Sequence, residues 1–124
     1  MDKSIMLIDD DQLFNFLNRR IVEKLQVFNQ IEVFNNAKLA LEQIKNQQFV
    51  PHYILLDLRM PMMNGFEFLD ELEKLPESIV AHTEVIVLTS SLMEEDREQC
   101  LQYKRVVAFL PKPLNATKLS DCLK

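Results

Sequence analysis

The chain has 124 residues, a hydrophobic fraction of 48% and a formal net charge of −5 at pH 7. This length predicts a single domain over residues 1–124 with the composition of an ordinary soluble globular protein. Since Lys and Arg form no cluster and the charge is negative, direct binding to nucleic acid is not expected.

Cysteine usage and hydropathy exclude further classes of protein. Cys100 and Cys122 lie far apart and have no partner histidine pattern, so neither a disulfide framework nor a zinc site is predicted. Reduced intracellular thiols are the default for such cysteines. No secretory segment is visible, and no stretch approaches the roughly 20 apolar residues of a membrane span. We therefore expect a cytoplasmic protein without membrane association.

Short apolar segments alternate along the chain with segments of helical spacing. The predicted strands are residues 4–8, 31–34, 53–56, 85–88 and 106–110. Most of their side chains are β-branched or aromatic, and three of the segments are continuously apolar, which is typical of parallel strands covered on both faces.

Helical spacing recurs after each of these strands. Leu13, Phe16, Leu17, Ile21 and Leu25 share one face of a first helix, and Ala37, Ala40, Leu41 and Ile44 share one face of a second. Phe66, Leu69 and Leu72 begin a third helix that Pro76 interrupts, residues 93–103 form a fourth and residues 116–123 a fifth. Five strands that alternate with five helices predict a doubly wound α/β fold with a parallel sheet.

Polar residues follow the ends of the predicted strands. Ligands of such sheets bind beyond the carboxyl ends of the strands. The residues at those ends are Asp9, Asp10, Asp11, Asp57, Thr89, Ser90, Ser91, Pro111, Lys112 and Pro113. Asn35 and Asn36, after the second strand, are better explained as a helix cap.

The carboxylates suggest a magnesium site. Asp9, Asp10 and Asp57 follow two strands of one sheet, and three crowded carboxylates repel one another unless a cation is present. Mg²⁺ prefers a few carboxylate oxygens together with water and phosphate oxygens. The alternative is a strand-ending turn and a helix cap, and Asp11 is expected to be that cap.

A carboxylate can also act as a nucleophile and form an aspartyl phosphate. Mg²⁺ would then neutralise one phosphoryl oxygen, Lys112 a second, and the Thr89 hydroxyl with nearby backbone N–H groups a third. Taken singly, Lys112 reads as a surface lysine and Thr89 as an ordinary strand residue. The single glycine of the chain, Gly65, lies in the loop after Asp57 and indicates a turn or a close approach.

Four motifs carry a resemblance to a known family. They are residues 7–11 (LIDDD), 55–65 (LLDLRMPMMNG), 87–90 (VLTS) and 109–113 (FLPKP). In this order and spacing they resemble the response-regulator receiver family, including its single-domain chemotaxis regulators, from Ser4 to about Leu123. The resemblance implies a flavodoxin-like sheet with strand order 2-1-3-4-5.

The resemblance also implies roles for individual residues. Asp57 matches the phosphoacceptor, Asp9 and Asp10 match the pair that binds Mg²⁺, and Asp10 is expected as the direct ligand. The Arg59 backbone carbonyl should complete the metal site. Lys112 should contact the phosphoryl group and precede Pro113 through a cis bond, while Thr89 and Phe109 match the switch hydroxyl and the switch aromatic.

Partners and departures follow from the same resemblance. A histidine kinase or a histidine phosphotransfer protein would supply the phosphoryl group, and an altered surface of the last helices would bind a downstream protein target. Arg59 is larger and more basic than the family often has there, and together with Ser91 it is expected to alter the dephosphorylation rate. Residues 103–107 lack the usual Gly-Ala before the last strand.

Two alternatives remain beside the switch. An aspartate-nucleophile phosphatase typically needs a second aspartate two residues beyond the nucleophile, where this chain has Arg59. A pseudo-receiver would bind proteins without being phosphorylated. We therefore expect no enzyme that acts on external substrates, only a chain that catalyses its own phosphoryl transfer and dephosphorylation.

Overall fold

The computed structural model describes residues 3–91 and 93–123. Met1, Asp2, Leu92 and Lys124, which belong to the predicted domain 1–124, lie outside the described residues. Within the described part no helix is long and apolar enough to cross a membrane.

The sheet has five parallel strands in the order β2-β1-β3-β4-β5. The strands are β1 (Ser4–Ile8), β2 (Gln30–Phe34), β3 (Tyr53–Leu56), β4 (Glu84–Thr89) and β5 (Val106–Pro111). The register places Ile8 beside Phe34 on one side and beside Leu56 on the other, so these strands end at the same level. Both the fold class and the predicted strand order are confirmed.

The structure has six helices among its described residues, one more than predicted. They are α1 (Gln12–Leu25), α2 (Ala37–Lys45), α3 (Gly65–Glu73), α4 (Glu77–Val80), α5 (Glu94–Leu101) and α6 (Ala116–Cys122). The additional helix, α4, is a single turn that begins after Pro76. Proline lacks the N–H that would continue α3, but its fixed φ suits the start of a new turn.

Apolar side chains pack on both faces of the sheet. Met6, Ile8, Ile54, Leu56, Val85 and Val87 belong to one buried cluster, and Ile5, Leu7, Tyr53, Leu55, Ile86 and Leu88 belong to the other. Because successive strand residues point to opposite faces, a strand that is covered on both sides must be apolar throughout. This explains the continuous apolar runs of the central strands.

The apolar face predicted for α1 is only partly buried. Ile21 and Leu25 pack against the second cluster, but Leu13, Phe16 and Leu17 remain exposed by 62%, 57% and 44%. The side of α1 that faces the sheet is formed by Asn15, Asn18 and Val22. At its start α1 therefore covers polar strand ends instead of the core.

The predicted helix caps are present. Asp11 accepts hydrogen bonds from the backbone N–H groups of Leu13 and Phe14 at the start of α1. Asn36 does the same for Lys38 and Leu39 at the start of α2. These two caps end the loops that leave β1 and β2, and the loop after β1 carries Asp9 and Asp10.

Gly65 stands where two backbone segments approach closely. Its N–H donates to the Leu58 carbonyl over 2.9 Å. A Cβ atom at this position would lie 2.7 Å from the Asp57 carbonyl oxygen and 2.8 Å from the Leu58 Cα atom. A side chain would therefore displace the backbone that carries Asp57, which explains why the single glycine of the chain stands here.

Candidate functional site

Four polar side chains meet at the carboxyl edge of the sheet. Asp9 follows β1, Asp57 follows β3, Thr89 ends β4 and Lys112 follows β5. Backbone hydrogen bonds continue across this edge: the Asp57 N–H donates to the Ile8 carbonyl over 3.0 Å, and the Lys112 N–H donates to the Thr89 carbonyl over 2.9 Å. The strand ends are thus held in register up to the residues that carry the chemistry.

The acidic residues form one cluster. Asp9, Asp10 and Asp57 each offer a carboxylate oxygen, and these atoms all lie within 4.8 Å of one another. Asp9 and Asp57 are buried, with exposed fractions of 3% and 6%, whereas Asp10 is exposed. Three hard oxygen donors with one open side fit a cation such as Mg²⁺, which retains water ligands.

Lys112 points into this cluster. Its Nζ lies 2.7 Å from Asp9 Oδ2 and 3.5 Å from Asp57 Oδ1, and only 9% of its side chain is exposed. The Phe14 ring covers the ammonium group, whose Nζ lies 4.2 Å from the ring centroid. The surface-lysine alternative is therefore wrong. The predicted cis bond between Lys112 and Pro113 is present.

The Asp57 carboxyl is a weaker acid than an ordinary aspartate. Burial, and then the negative charge of Asp9, raise its pKa from 3.8 to about 6. The charge of Lys112 and a hydrogen bond from the Arg59 backbone N–H act in the opposite direction but do not cancel these effects. A cation beside Asp57 would favour its ionised form.

Thr89 and Phe109 lie on the same face of the sheet. Phe109 pairs with Val87 in the register of β4 and β5, and Thr89 stands two residues beyond Val87. Thr89 is fully buried, and its Oγ1 accepts the Ser91 backbone N–H over 3.1 Å. Phe109 is only partly buried and packs against the first core cluster. The structure thus brings the two predicted switch residues close together.

The Arg59 side chain has a partner that was not predicted from the sequence. Its guanidinium forms an ion pair with Asp96 of α5, and Ser91 Oγ donates to the same Asp96 oxygen over 2.6 Å. Asp96 was not among the residues predicted for the site. No local signal could have revealed this pairing, because the two residues are 37 positions apart.

Two residues of α1 also belong to the site, although the sequence did not predict them. Phe14 covers Lys112 as described, and Asn15 donates from Nδ2 to the Asp9 carbonyl over 2.7 Å. Asn15 also lies 3.4 Å from the Phe34 carbonyl, which it can reach with the same amide. This buried amide holds the ends of β1 and β2 and explains why α1 turns a polar side to the sheet.

Comparisons with known proteins agree with one another on the family of this chain. The sequence model of the family described as "Response regulator receiver domain" matches residues 5–124. A two-component response regulator from Cytophaga hutchinsonii is similar with a TM-score of 0.87 and 28% identity, covering 98% of this chain and 93% of that one. A response regulator receiver protein from Dyadobacter fermentans has the same TM-score with 30% identity, covering 98% and 95%.

Curated relatives include much longer proteins. The sensory/regulatory protein RpfC of Xanthomonas campestris is 29% identical over 119 residues. This match covers 96% of the present chain but only 16% of that protein. The chain therefore spans about a sixth of this relative.

Proposed function

Because the chain belongs to the response-regulator receiver family, we propose that it is a phosphorylation-dependent signalling switch whose acceptor is Asp57. The observation that carries this proposal is the placement of Lys112 Nζ between Asp9 and Asp57, at 2.7 and 3.5 Å. An ammonium group at this point can pair with an oxygen of a phosphoryl group on Asp57 without rebuilding the site.

The transfer itself requires little covalent chemistry from the protein. An Asp57 carboxylate oxygen attacks the phosphorus of a phosphohistidine, the new P–O bond forms and the P–N bond breaks, and the imidazole nitrogen keeps the electron pair. Lys112 is oriented by Asp9 and stabilises the charge on the transferred group. A Mg²⁺ ion held by Asp9, Asp10, Asp57 and the Arg59 backbone carbonyl would neutralise further phosphoryl charge.

The switch uses Thr89 and Phe109. The Thr89 hydroxyl accepts the Ser91 N–H but can donate its own proton to a phosphoryl oxygen. Movement of that hydroxyl toward Asp57 vacates space on the face that Phe109 shares. The altered surface around β5 and the last helices then binds a downstream protein target.

The same geometry supports self-modification over turnover of external substrates. An aspartate-based phosphatase needs an acid–base group two residues beyond the nucleophile, and that position holds Arg59, whose side chain is paired with Asp96. The chain therefore catalyses only its own phosphorylation and dephosphorylation. We place it in the cytoplasm as a single domain over residues 1–124, without direct nucleic acid binding.

The phosphoryl donor is a histidine kinase or a histidine phosphotransfer protein, and we place its docking surface on α1. Leu13, Phe16 and Leu17 are exposed there and lie together on one side of the helix. This helix begins directly after Asp10 and Asp11, beside the acidic cluster. A donor whose histidine reaches Asp57 must lie against the start of α1, where its apolar side chains would cover this patch.

The test of the proposed function is incubation with acetyl phosphate and Mg²⁺ followed by intact-mass measurement. We expect a gain of one phosphoryl group in the wild-type chain. No gain is expected for Asp57→Asn or in the presence of a chelator. If the wild-type chain gains no phosphoryl group and binds no beryllofluoride, the pseudo-receiver alternative replaces the switch.

The docking role proposed for α1 is tested by a separate experiment. Phe16→Ala should slow phosphoryl transfer from a phosphorylated histidine phosphotransfer domain about tenfold, because a buried aromatic anchor typically contributes more than 1 kcal/mol to binding. Its phosphorylation by acetyl phosphate should be unchanged. Leu101→Ala, which removes an apolar side chain of similar exposure on α5, is the matched control. If Phe16→Ala slowed phosphorylation by acetyl phosphate as much as transfer from the phosphotransfer domain, the docking role would be contradicted.

A further inference from the structure

An ion pair connects the loop after Asp57 to helix α5. The Arg59 guanidinium binds Asp96, the third residue of α5. The Asp96 side chain is only 11% exposed, whereas 56% of the Arg59 side chain is exposed. The carboxylate is therefore fixed in the structure, and the guanidinium is the partner that can move.

Asp96 is also connected to the switch threonine. Ser91 Oγ donates to Asp96 Oδ2 over 2.6 Å, and the Ser91 backbone N–H donates to Thr89 Oγ1 over 3.1 Å. The Met93 backbone N–H, which precedes α5, donates to Ser91 Oγ over 3.3 Å. One network of hydrogen bonds thus joins Arg59, the start of α5 and Thr89.

The Arg59 end of this network lies beside Asp57 in the chain. Arg59 follows Asp57 by two residues, so its guanidinium is attached to a residue next to the acceptor. A phosphoryl group on Asp57 would bring a charge of about −1.5 to −2 and three acceptor oxygens, against the single charge of Asp96. A guanidinium binds such a group through two parallel hydrogen bonds.

We propose that Asp96 is a positioning residue that keeps Arg59 away from Asp57 until a phosphoryl group competes for its guanidinium, and that this exchange releases the start of α5. The inference rests on the proposed phosphorylation of Asp57 and specifies how it reaches α5. When Arg59 leaves, a largely buried carboxylate loses its cation. Asp96 and Ser91 must then rearrange, because an unpaired buried charge is costly.

A double-mutant cycle with beryllofluoride as the phosphoryl mimic tests the exchange. Its affinity in the presence of Mg²⁺ is measured by fluorine NMR for the wild type, Asp96→Asn, Arg59→Gln and the double variant. Asp96→Asn keeps an oxygen that accepts the Ser91 bond but loses the competing charge, so we expect affinity to rise about fivefold. In the Arg59→Gln background the same substitution should change affinity much less, because no guanidinium remains to be released.

The control removes a carboxylate from a comparable ion pair far from the site. Glu71→Gln breaks the pair between Glu71 and Lys74 at the end of α3, and it should leave the affinity unchanged. Hydrogen exchange provides a second measurement that does not depend on Asp96→Asn. Beryllofluoride should speed exchange of the first α5 amides in the wild type but not in Arg59→Gln.

The outcomes separate the inference from the function on which it rests. An equal gain from Asp96→Asn in both backgrounds, or no gain in either, overturns the exchange while wild-type binding of beryllofluoride still supports the switch. The same holds if α5 exchange responds identically in Arg59→Gln. If the wild type neither binds beryllofluoride nor gains a phosphoryl group, both proposals fail together.

Discussion

Lys112→Met is expected to slow phosphorylation of Asp57 by acetyl phosphate about a hundredfold. The ammonium group lies 3.5 Å from Asp57 Oδ1 and is held there by Asp9, so it needs no reorganisation to meet the charge of the transferred group. Removal of one preorganised stabilising group typically costs a factor of about 10² to 10³ in rate. Methionine keeps an unbranched apolar side chain at this position and removes the charge that lies over the Phe14 ring.

The measurement is the rate of phosphoprotein formation, followed by intact mass at saturating Mg²⁺. Lys118→Met is the matched control, since it removes an exposed lysine from α6 at the same cost in net charge. It should react like the wild type. A Lys112→Met protein that folds normally and reacts at the wild-type rate would rule out the role proposed for this lysine.

Asp57→Asn is expected to stabilise the protein at neutral pH while abolishing its phosphorylation. The folded-state pKa of Asp57 is raised from 3.8 to about 6, first by burial and then by the negative charge of Asp9. Between these two values the folded protein binds a proton that the unfolded chain has released. Stability therefore falls as the pH rises through this window, and above pH 6 the ionised Asp57 opposes folding throughout.

The size of the expected stabilisation follows from the raised pKa of Asp57. Asparagine cannot ionise. At pH 7.5 and without divalent metal, we therefore expect the free energy of unfolding of Asp57→Asn to exceed that of the wild type by about 1–3 kcal/mol. At pH 4 most of this difference should disappear. Lys112 retains its contact with Asp9 in the variant, so no buried cation is left alone.

Urea denaturation at several pH values with a chelator measures this effect. Asp121→Asn, at an exposed position of α6, is the control and should show no such pH dependence. Added Mg²⁺ should stabilise the wild type more than Asp57→Asn, because the ion binds the folded acidic cluster. A variant that is less stable than the wild type at pH 7.5 would contradict the assigned origin of the raised pKa.

The sequence by itself determined the main plan of this protein. Continuous apolar runs such as residues 53–56 required strands covered on both faces, and the alternation with helical spacing required a parallel sheet. The carboxyl ends of parallel strands meet at one edge, so Asp9, Asp57, Thr89 and Lys112 could be placed together without coordinates. Asp11 and Asn36 were recognised as caps because capping depends on neighbours within three residues.

Only the tertiary structure decided which side of α1 is buried. The spacing of Leu13, Phe16 and Leu17 is that of an apolar helix face, yet these side chains are exposed and Asn15 faces the sheet. Helical periodicity reports which residues share a face, but not which neighbour that face meets. At the start of α1 the neighbour is a set of polar strand ends, which select an amide as the buried group.

The contact of Lys112 with Asp9 and the pairing of Arg59 with Asp96 also arose from tertiary structure alone. Both depend on contacts between distant parts of the chain: Lys112 lies 103 positions from Asp9, and Asp96 lies 37 positions from Arg59. Local patterns contain no information about such distances, because they are set by how loops and helices pack around the sheet. The positions of the reactive residues and the repulsion among Asp9, Asp10 and Asp57 could therefore be predicted from the sequence. The ion pairs that Asp9 and Asp96 form could not.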